Sequence, residues 1–324
     1  MKEISFAQAI RDAIAEEMRR DDKVFLMGED IAQYGGAFKV TRDIAKEFGS
    51  DRVRNTPISE GGFVGVAIGA SLLGARPIVE IMFMDFILLA IDQIVNQAAK
   101  FHYVYGEQAK VPIVIRTPGG GGRSYGPTHS QSLEAHFMHT PGIKIAAPST
   151  PADAKGLLKT AVRDDNPVLF LESKVLYPVK GNVSDGEHLV PFGRAEIVSE
   201  GDDVTIIAYS RMVHEALKAA EMLAGRDVTA EVIDLRTLAP LDEGTIIESV
   251  KRTGKVVIVE EGTRTAGVAA EIGFRIFEQI YDYLEAPIRR VTCPDIPVPC
   301  SPVLEKAALP NAERIAADVL RIFD

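Results

Sequence analysis

The sequence predicts an α/β protein of two consecutive domains, each built on a parallel sheet. Three observations carry that expectation. Apolar strand-like runs alternate with helical periodicity along the chain, and strand after helix after strand implies parallel pairing. The alternation lapses between Lys180 and Gly193, where KGNVSDGEHLVPFG holds turn residues and no period. The length of 324 residues also exceeds the usual size of one domain. Domains are therefore expected at residues 1–185 and 201–324, with a linker at 186–200.

In chain order, Ser5 and Gln8 form a capping-box pattern, and Ile10, Ile14 and Met18 then repeat on one helical face. Val24 to Met27 reads as a buried strand stopping at a polar loop. A helix over Phe63 to Leu73, a strand over Pro77 to Met82, a helix over Phe86 to Phe101 and a strand over Val111 to Arg116 follow. The glycine-rich run Gly119 to Thr128 must be loop, followed by a short helix and a strand at Ile143 to Ala147. Thr150, Pro151 and Asp153 start a helix with proline in its first position, and Pro167 to Glu172 is the last strand of this half. The second series puts strands at Val204 to Ser210, Ala230 to Arg236, Val256 to Glu260 and Ile288 to Thr292. Helices fall at Met212 to Ala224, Asp242 to Thr253 and Val268 to Tyr283.

Composition excludes several function classes. Hydrophobic residues make up 46% and charged residues 25%, ordinary for a globular chain and not for a disordered one. A formal net charge of -10 argues against nucleic acid as a main partner. Cys293 and Cys300 lie in no C-x-x-C pair and beside no histidine at zinc spacing, so reduced thiols are expected. The gently apolar segment Phe63 to Ala75 is shorter than the roughly 20 residues that span a bilayer, so no membrane partner is expected. The amino terminus, MKEISFAQAIRDAIAEEMRRDD, has neither a signal-peptide apolar stretch nor the acid-poor character of a transit peptide, and a cytoplasmic protein is expected.

Open parallel sheets bind ligands outside the carboxyl ends of their strands. Glu29, Met82 to Phe86 and the loop carrying His129 stand there. Glu60, in NTPISEGG, precedes a glycine-rich helix start; by composition alone such a residue is a solvated or capping carboxylate. His129 lies in RSYGPTHSQS, where glycines permit close backbone approach and an imidazole can transfer protons near neutral pH, yet a structural histidine explains the spacing equally well. His136 and His139 share a helical face but lack an acidic or cysteine partner at metal spacing. Gly122 to Gly126 matches G-x-S-x-G, the α/β-hydrolase elbow. Its context is wrong, because the preceding strand ends near Thr117 and Pro127 interrupts the helix that should follow. Ser124 also stands where a dinucleotide loop needs its third glycine.

Taken together, the segments GEDIAQYGGAFKVT (28–41), NTPISEGGFVGVAIGAS (55–71), DQIVNQAAKFHY (92–103) and THSQSLEAHFMHTPGIK (128–144) resemble one family. It comprises the beta subunits of the pyruvate, branched-chain 2-oxo acid and acetoin dehydrogenases. STPADAKGLLKTAVRDDNPVLFLE (149–172) and VIDLRTLAPLD (232–242) extend the resemblance through both domains. It implies a transketolase-type pyrimidine-binding domain followed by a transketolase carboxyl-terminal domain, in a heterotetramer of two alpha and two beta chains with thiamine diphosphate between subunits. The G-D-G motif that such enzymes use for diphosphate and magnesium is missing here, so the alpha subunit is expected to hold the magnesium.

The resemblance also assigns residues. It implies that Glu60 hydrogen-bonds the aminopyrimidine ring nitrogen, favouring the imino tautomer that removes the thiazolium proton. Phe86 would pack on that ring, and Met82 and Ile58 would shape the pocket, although core roles explain all three as well. Glu29 would be a buried acid near the cofactor. His129 would serve acyl transfer to lipoamide, where a proton must reach the dithiolane sulfur. Ile113, Ala161, Val162, Asp164 and Asn166 match positions that hold a potassium ion in some members. Asp295 matches a region that docks the dihydrolipoyl acyltransferase core, which carries the lipoyl domain. The implied activity is oxidative decarboxylation of a 2-oxo acid. Pyruvate is favoured because GEDIAQYGGAFKV resembles the pyruvate type; acetoin and branched-chain 2-oxo acids are the alternatives, and a non-enzymatic docking subunit is the rival class.

Overall fold

The computed structural model describes residues 1–323. Strand β1 (Lys2–Ser5) leads into helix α1 (Phe6–Arg20). Ser5 caps that helix, its Oγ accepting from the Gln8 N–H at 3.2 Å, while the Gln8 side chain turns to Asp12 instead of closing the capping box. Ile10, Ile14 and Met18 form its buried stripe. Next come β2 (Val24–Gly28), α2 (Ile44–Phe48), β3 (Val53–Asn55), α3 (Glu60–Leu72) and β4 (Arg76–Glu80). After α4 (Ala99–Val104) follow β5 (Val114–Gly119), α5 (Glu134–Met138), β6 (Lys144–Ala146), α6 (Pro151–Arg163), β7 (Val168–Ser173) and β8 (Lys180–Val183). Thr150 caps α6 as expected, accepting from the Asp153 N–H at 3.1 Å with Pro151 in the first position.

The second half contains β9 (Glu196–Ser199), β10 (Val204–Ala208), α7 (Arg211–Ala224), β11 (Ala230–Asp234) and β12 (Thr237–Ala239). It ends with α8 (Glu243–Thr253), β13 (Val256–Thr263), α9 (Val268–Ile280), β14 (Arg289–Cys293), α10 (Pro302–Ala308) and α11 (Ala312–Leu320). Besides the antiparallel pair β1-β8 there are two larger sheets, one with the order β12-β6-β7-β5-β4-β2-β3 and the other β14-β13-β10-β11-β9. Both are parallel except at one edge, where β12 and β9 run antiparallel.

The structure corrects three expectations. The helix over Phe86 to Phe101 is broken into a 3₁₀ segment, Met84–Ala90, and a π segment, Gln93–Ala98, before α4 begins. The sequence there mixes apolar residues with Asp85, Asp92, Gln93, Asn96 and Gln97 and carries no glycine or proline, so periodicity could not show that the backbone tightens and then widens. Met82 lies beyond the end of β4, and β5 starts later than expected and runs on to Gly119. The two sheets are separate as expected, but their division does not follow chain order, because β12 from the second series pairs with β6 and joins the first sheet. One apolar core accordingly runs from Val64 and Ile145 through to Ile207 and Ile272. Among the described residues no helix is long and apolar enough to cross a membrane.

Candidate active site

The carboxyl ends of β2, β4, β5 and β7 bring charged groups into one buried region. Glu29 follows β2, Glu80 ends β4, Arg116 lies within β5 and Glu172 within β7. Arg116 is almost wholly buried, and its guanidinium donates to Glu80 Oε2 at 2.8 Å and Glu172 Oε2 at 2.9 Å. The Tyr177 hydroxyl donates to the same Glu172 oxygen at 2.8 Å. Burial works against the Arg116 charge, but Glu172 and Glu80 outweigh it and hold the guanidinium firmly protonated. Burial raises Glu80 despite the opposing pull of Arg116. Such a network is satisfied only as a whole, since removing one member strands a buried charge.

Beside it stands a second set of carboxylates. Glu60 is the first residue of α3 and is 4% exposed, which places it near the positive end of a helix dipole. Glu29 is 5% exposed, and its Oε1 has no hydrogen-bond partner among the described residues. Burial, together with the negative charges of Glu60, Asp30 and Glu80, pushes the Glu29 carboxyl up to about 7. An orphaned buried oxygen on a half-protonated acid is what a site built for a further hydrogen-bonding group presents.

An aromatic wall stands next to these acids. The amino end of α3 packs on the 3₁₀ segment, where a Cβ added to Gly61 would meet Leu89 O at 3.0 Å. That segment carries Phe86, whose ring meets the His129 ring edge-on at 5.3 Å, and Phe83 meets the same imidazole at 4.9 Å. His129 Nδ1 lies 3.1 Å from Thr128 Oγ1, leaving Nε2 as the free ring nitrogen. Glu29, Glu60, Phe86 and His129 thus gather at one end of the first sheet. Met82 is half-buried beside them, whereas Ile58 is 83% exposed and lines nothing within this chain.

Several residues at the site were not singled out by sequence. Lys174 follows β7, is fully buried, and donates from Nζ to the His129 carbonyl at 2.7 Å. Burial lowers its ammonium to about 8, against the pull of Asp85, Glu261 and Glu305. Asp85 Oδ1 accepts from the Gln131 backbone at 3.2 Å and from its side chain at 2.8 Å. The rule that sites lie just beyond strand ends would have reached Lys174, because it stands directly after the apolar run VLFLES. Ser124 is held at φ +56° as an elbow serine would be, but its Oγ donates to Glu305 at 3.1 Å and meets no histidine.

The residues implied for potassium lie around the turn from α6 to β7. The Ile113 carbonyl accepts from Val168 at 2.9 Å and the Ala161 carbonyl from Asp164 at 3.2 Å. Arg76 Nη1 donates to the carbonyls of Val162 at 2.9 Å and Asp164 at 3.0 Å. The Asp164 carboxylate takes Lys144 Nζ at 2.5 Å and Asn166 Nδ2 at 2.8 Å. His136 and His139 join no group of three metal-ligating side chains among the described residues. Asp295 is exposed and accepts from Thr265 N at 2.9 Å and Thr265 Oγ1 at 2.6 Å, which hold its carboxyl below the ordinary value.

Fold and site together define a transketolase-type α/β protein. The family described as transketolase, pyrimidine binding domain, matches residues 2–180, and the transketolase C-terminal domain family matches residues 193–315. A pyruvate dehydrogenase E1 component subunit beta of Rickettsia felis is 49% identical over 99% of this chain and 98% of its own length. The mitochondrial counterpart of Dictyostelium discoideum is 46% identical over 99% of this chain and 91% of its own. Among solved structures, a chain described as a split gene transketolase, inactive beta4 tetramer, superposes with a TM-score of 0.82 at 24% identity over 98% of both chains, which shows the shared fold. The chain belongs to the family of pyruvate dehydrogenase E1 component beta subunits.

Proposed function

We propose that the chain is the beta half of a thiamine-diphosphate-dependent pyruvate dehydrogenase component, active when joined to an alpha subunit in a heterotetramer of two alpha and two beta chains. The observation that carries this reading is the pairing of two buried carboxylates, Glu60 at the start of α3 and Glu29 with an orphaned oxygen, beside the Phe86 and His129 rings. Thiamine diphosphate, when bound, would supply a nucleophilic carbon toward the 2-oxo carbon and a cationic thiazolium ring as the sink for the electron pair that carbon dioxide leaves behind.

The chain's own groups do the rest. Glu60, held at the amino end of α3, hydrogen-bonds the aminopyrimidine nitrogen and exchanges a proton with it. Glu29, poised near neutrality, accepts or donates a hydrogen bond with its unpartnered oxygen. Phe86 covers the ring face and excludes water. Met82 and Ile58 complete the apolar lining, Ile58 from its exposed position toward the neighbouring subunit. His129, with Nδ1 engaged by Thr128, delivers a proton from Nε2 to the dithiolane sulfur of lipoamide.

The alpha subunit holds magnesium in this reading, and the surface around Asp295 receives the acyltransferase core. A potassium ion at the turn from α6 to β7 would use the second lone pairs of the carbonyls of Ile113, Ala161 and Val162, with Asp164 and Asn166 beside them. There it would compete with the Arg76 guanidinium for the Val162 and Asp164 carbonyls and with the Lys144 ammonium for the Asp164 carboxylate.

The test is reconstitution with the cognate alpha subunit, followed by a panel of pyruvate, acetoin and branched-chain 2-oxo acids. Pyruvate should give the highest kcat/KM. Dominance by another substrate would move the assignment within the family, and no turnover in a well-formed tetramer would leave a docking subunit. His129→Ala should lower lipoyl acylation by roughly 100-fold while sparing decarboxylation with an artificial electron acceptor.

A further inference from the structure

The loop that ends in His129 is gripped by carboxylates of the second half of the chain. Glu305, in the first turn of α10 and 4% exposed, accepts from the Gly122 N–H with Oε1 at 2.9 Å. Its Oε2 accepts from the Ser124 N–H at 2.9 Å and the Ser124 hydroxyl at 3.1 Å. Glu261, in β13, takes the Gly121 N–H in the same way. The backbone alternation makes this possible. Gly120 and Gly122 have φ of +77° and +89°, so successive amides turn toward one side and form an anion-binding concavity. Ser124, at φ +56°, is held in a region that non-glycine residues occupy only when their surroundings over-determine it.

The other end of the loop is tied to the first half. Lys174 Nζ donates to the His129 carbonyl at 2.7 Å, Asp85 holds the Gln131 amide, and the Gly120 N–H donates to the Gln131 carbonyl at 3.0 Å, closing the loop at its base. Between these anchors the loop has few ties: Arg123, Tyr125, Pro127 and Thr128 are exposed, Arg123 donates to the Lys174 carbonyl at 3.1 Å and Tyr125 meets the Phe83 ring edge-on at 6.2 Å, while among the described residues the His129 ring is placed by Phe83, Phe86 and its neighbour Thr128.

We propose that Glu305 is a positioning residue for His129: by accepting two loop amides, the second domain fixes the segment that presents the imidazole to the acyl carrier. The functional half of this statement rests on the role given to His129 above; the grip itself does not. Glu305→Gln tests it, because the amide keeps the shape while its NH2 group faces one of the two N–H donors, so one hydrogen bond becomes a repulsion. Glu305→Asp, which keeps the charge and shortens the reach, is the second variant should the first fail to assemble.

Both variants are to be measured as heterotetramers with the alpha subunit. Backbone hydrogen exchange in the peptide spanning residues 119–128 should rise at least about tenfold. Lipoyl acylation should fall roughly ten- to a hundredfold, the scale of an ångström-level misplacement, while decarboxylation with an artificial acceptor stays within about twofold. Unchanged exchange, or equal loss in both assays, overturns the proposal. Exchange reads the grip without reference to chemistry. A His129→Ala variant with normal acylation would therefore count against the role of His129, while faster loop exchange in Glu305→Gln would still uphold the grip.

Discussion

The two sheets share one architecture and differ in how far their buried polar groups are satisfied. In the second sheet most such groups are satisfied locally, although Glu231 Oε1 in β11 has no partner among the described residues. Glu260 accepts from the Val268 and Ala269 amides at the start of α9, at 2.9 and 3.1 Å, and the Thr205 hydroxyl meets those of Ser249 and Thr253 at 2.6 and 2.8 Å. At the carboxyl end of the first sheet, Glu29 Oε1, Asp85 Oδ2, Thr117 Oγ1, Ser130 Oγ and Ser173 Oγ are buried without partners. Buried polar atoms are normally paired, so this concentration marks the end of the molecule that waits for other groups, and the second sheet as the frame that holds it.

The sharpest way to break that contrast is Glu60→Gln. In the assembled enzyme it should lower kcat by roughly 100- to 10,000-fold with an unchanged melting temperature, since a general acid–base group is lost and no packing is. A normal kcat would remove the first sheet's claim to the chemistry. Arg116→Met should instead destabilise the chain by about 3–5 kcal/mol by stranding Glu80 and Glu172, as read by chemical denaturation. Arg275→Met, which breaks the half-exposed pairs of Arg275 with Glu243 and Glu271 in the second half, should cost about 1 kcal/mol or less. Equal losses would show that the two regions are not treated differently.

Glu29 sharpens the contrast through pH. Its folded pKa, about 7, lies above its ordinary 4.5, so the stability it contributes is present below the ordinary value and is lost as pH rises through about 7. Glu29→Gln removes that titration. The variant should match the parent near pH 5 and melt about 2–4 °C higher near pH 8; a gap independent of pH would contradict the raised pKa. The smallest effect belongs to the second sheet. Ser249→Ala removes one member of the hydroxyl cluster and should cost about 1 kcal/mol, with catalysis untouched.

Much of this was legible in the sequence where local rules dominate. Alternating apolar runs predicted the central strands and main helices of both halves but not the short edge strands β1, β3, β8, β9 and β12, nor α2, α10 and α11; Ser5 and Thr150 marked two helix starts that the hydrogen bonds repeat. The run from Met84 to Ala98 was not legible, because its apolar residues carry no mark of 3₁₀ or π geometry. Glu60 and His129 stood out only through resemblance, their own spacing being as compatible with a capping acid and a structural imidazole. Lys174 was within reach of the strand-end rule but its contact was not, and Glu305 was invisible altogether. Glu305 reaches a loop about 180 residues earlier and Lys174 one 45 residues earlier, and nothing local to either announces such a contact. Long-range pairings of this kind require the folded chain.

The three-residue strand β12 has a consequence for how the protein can be divided. It covers the outer rim of β6, so the backbone groups of that rim are matched only by residues from far later in the chain. A fragment cut at the apparent boundary near residue 190 would leave that rim bare, a ready template for intermolecular pairing, and should aggregate where a fragment extended through Ala239 stays dispersed. Synthesis beyond that point is therefore what seals the amino-terminal half.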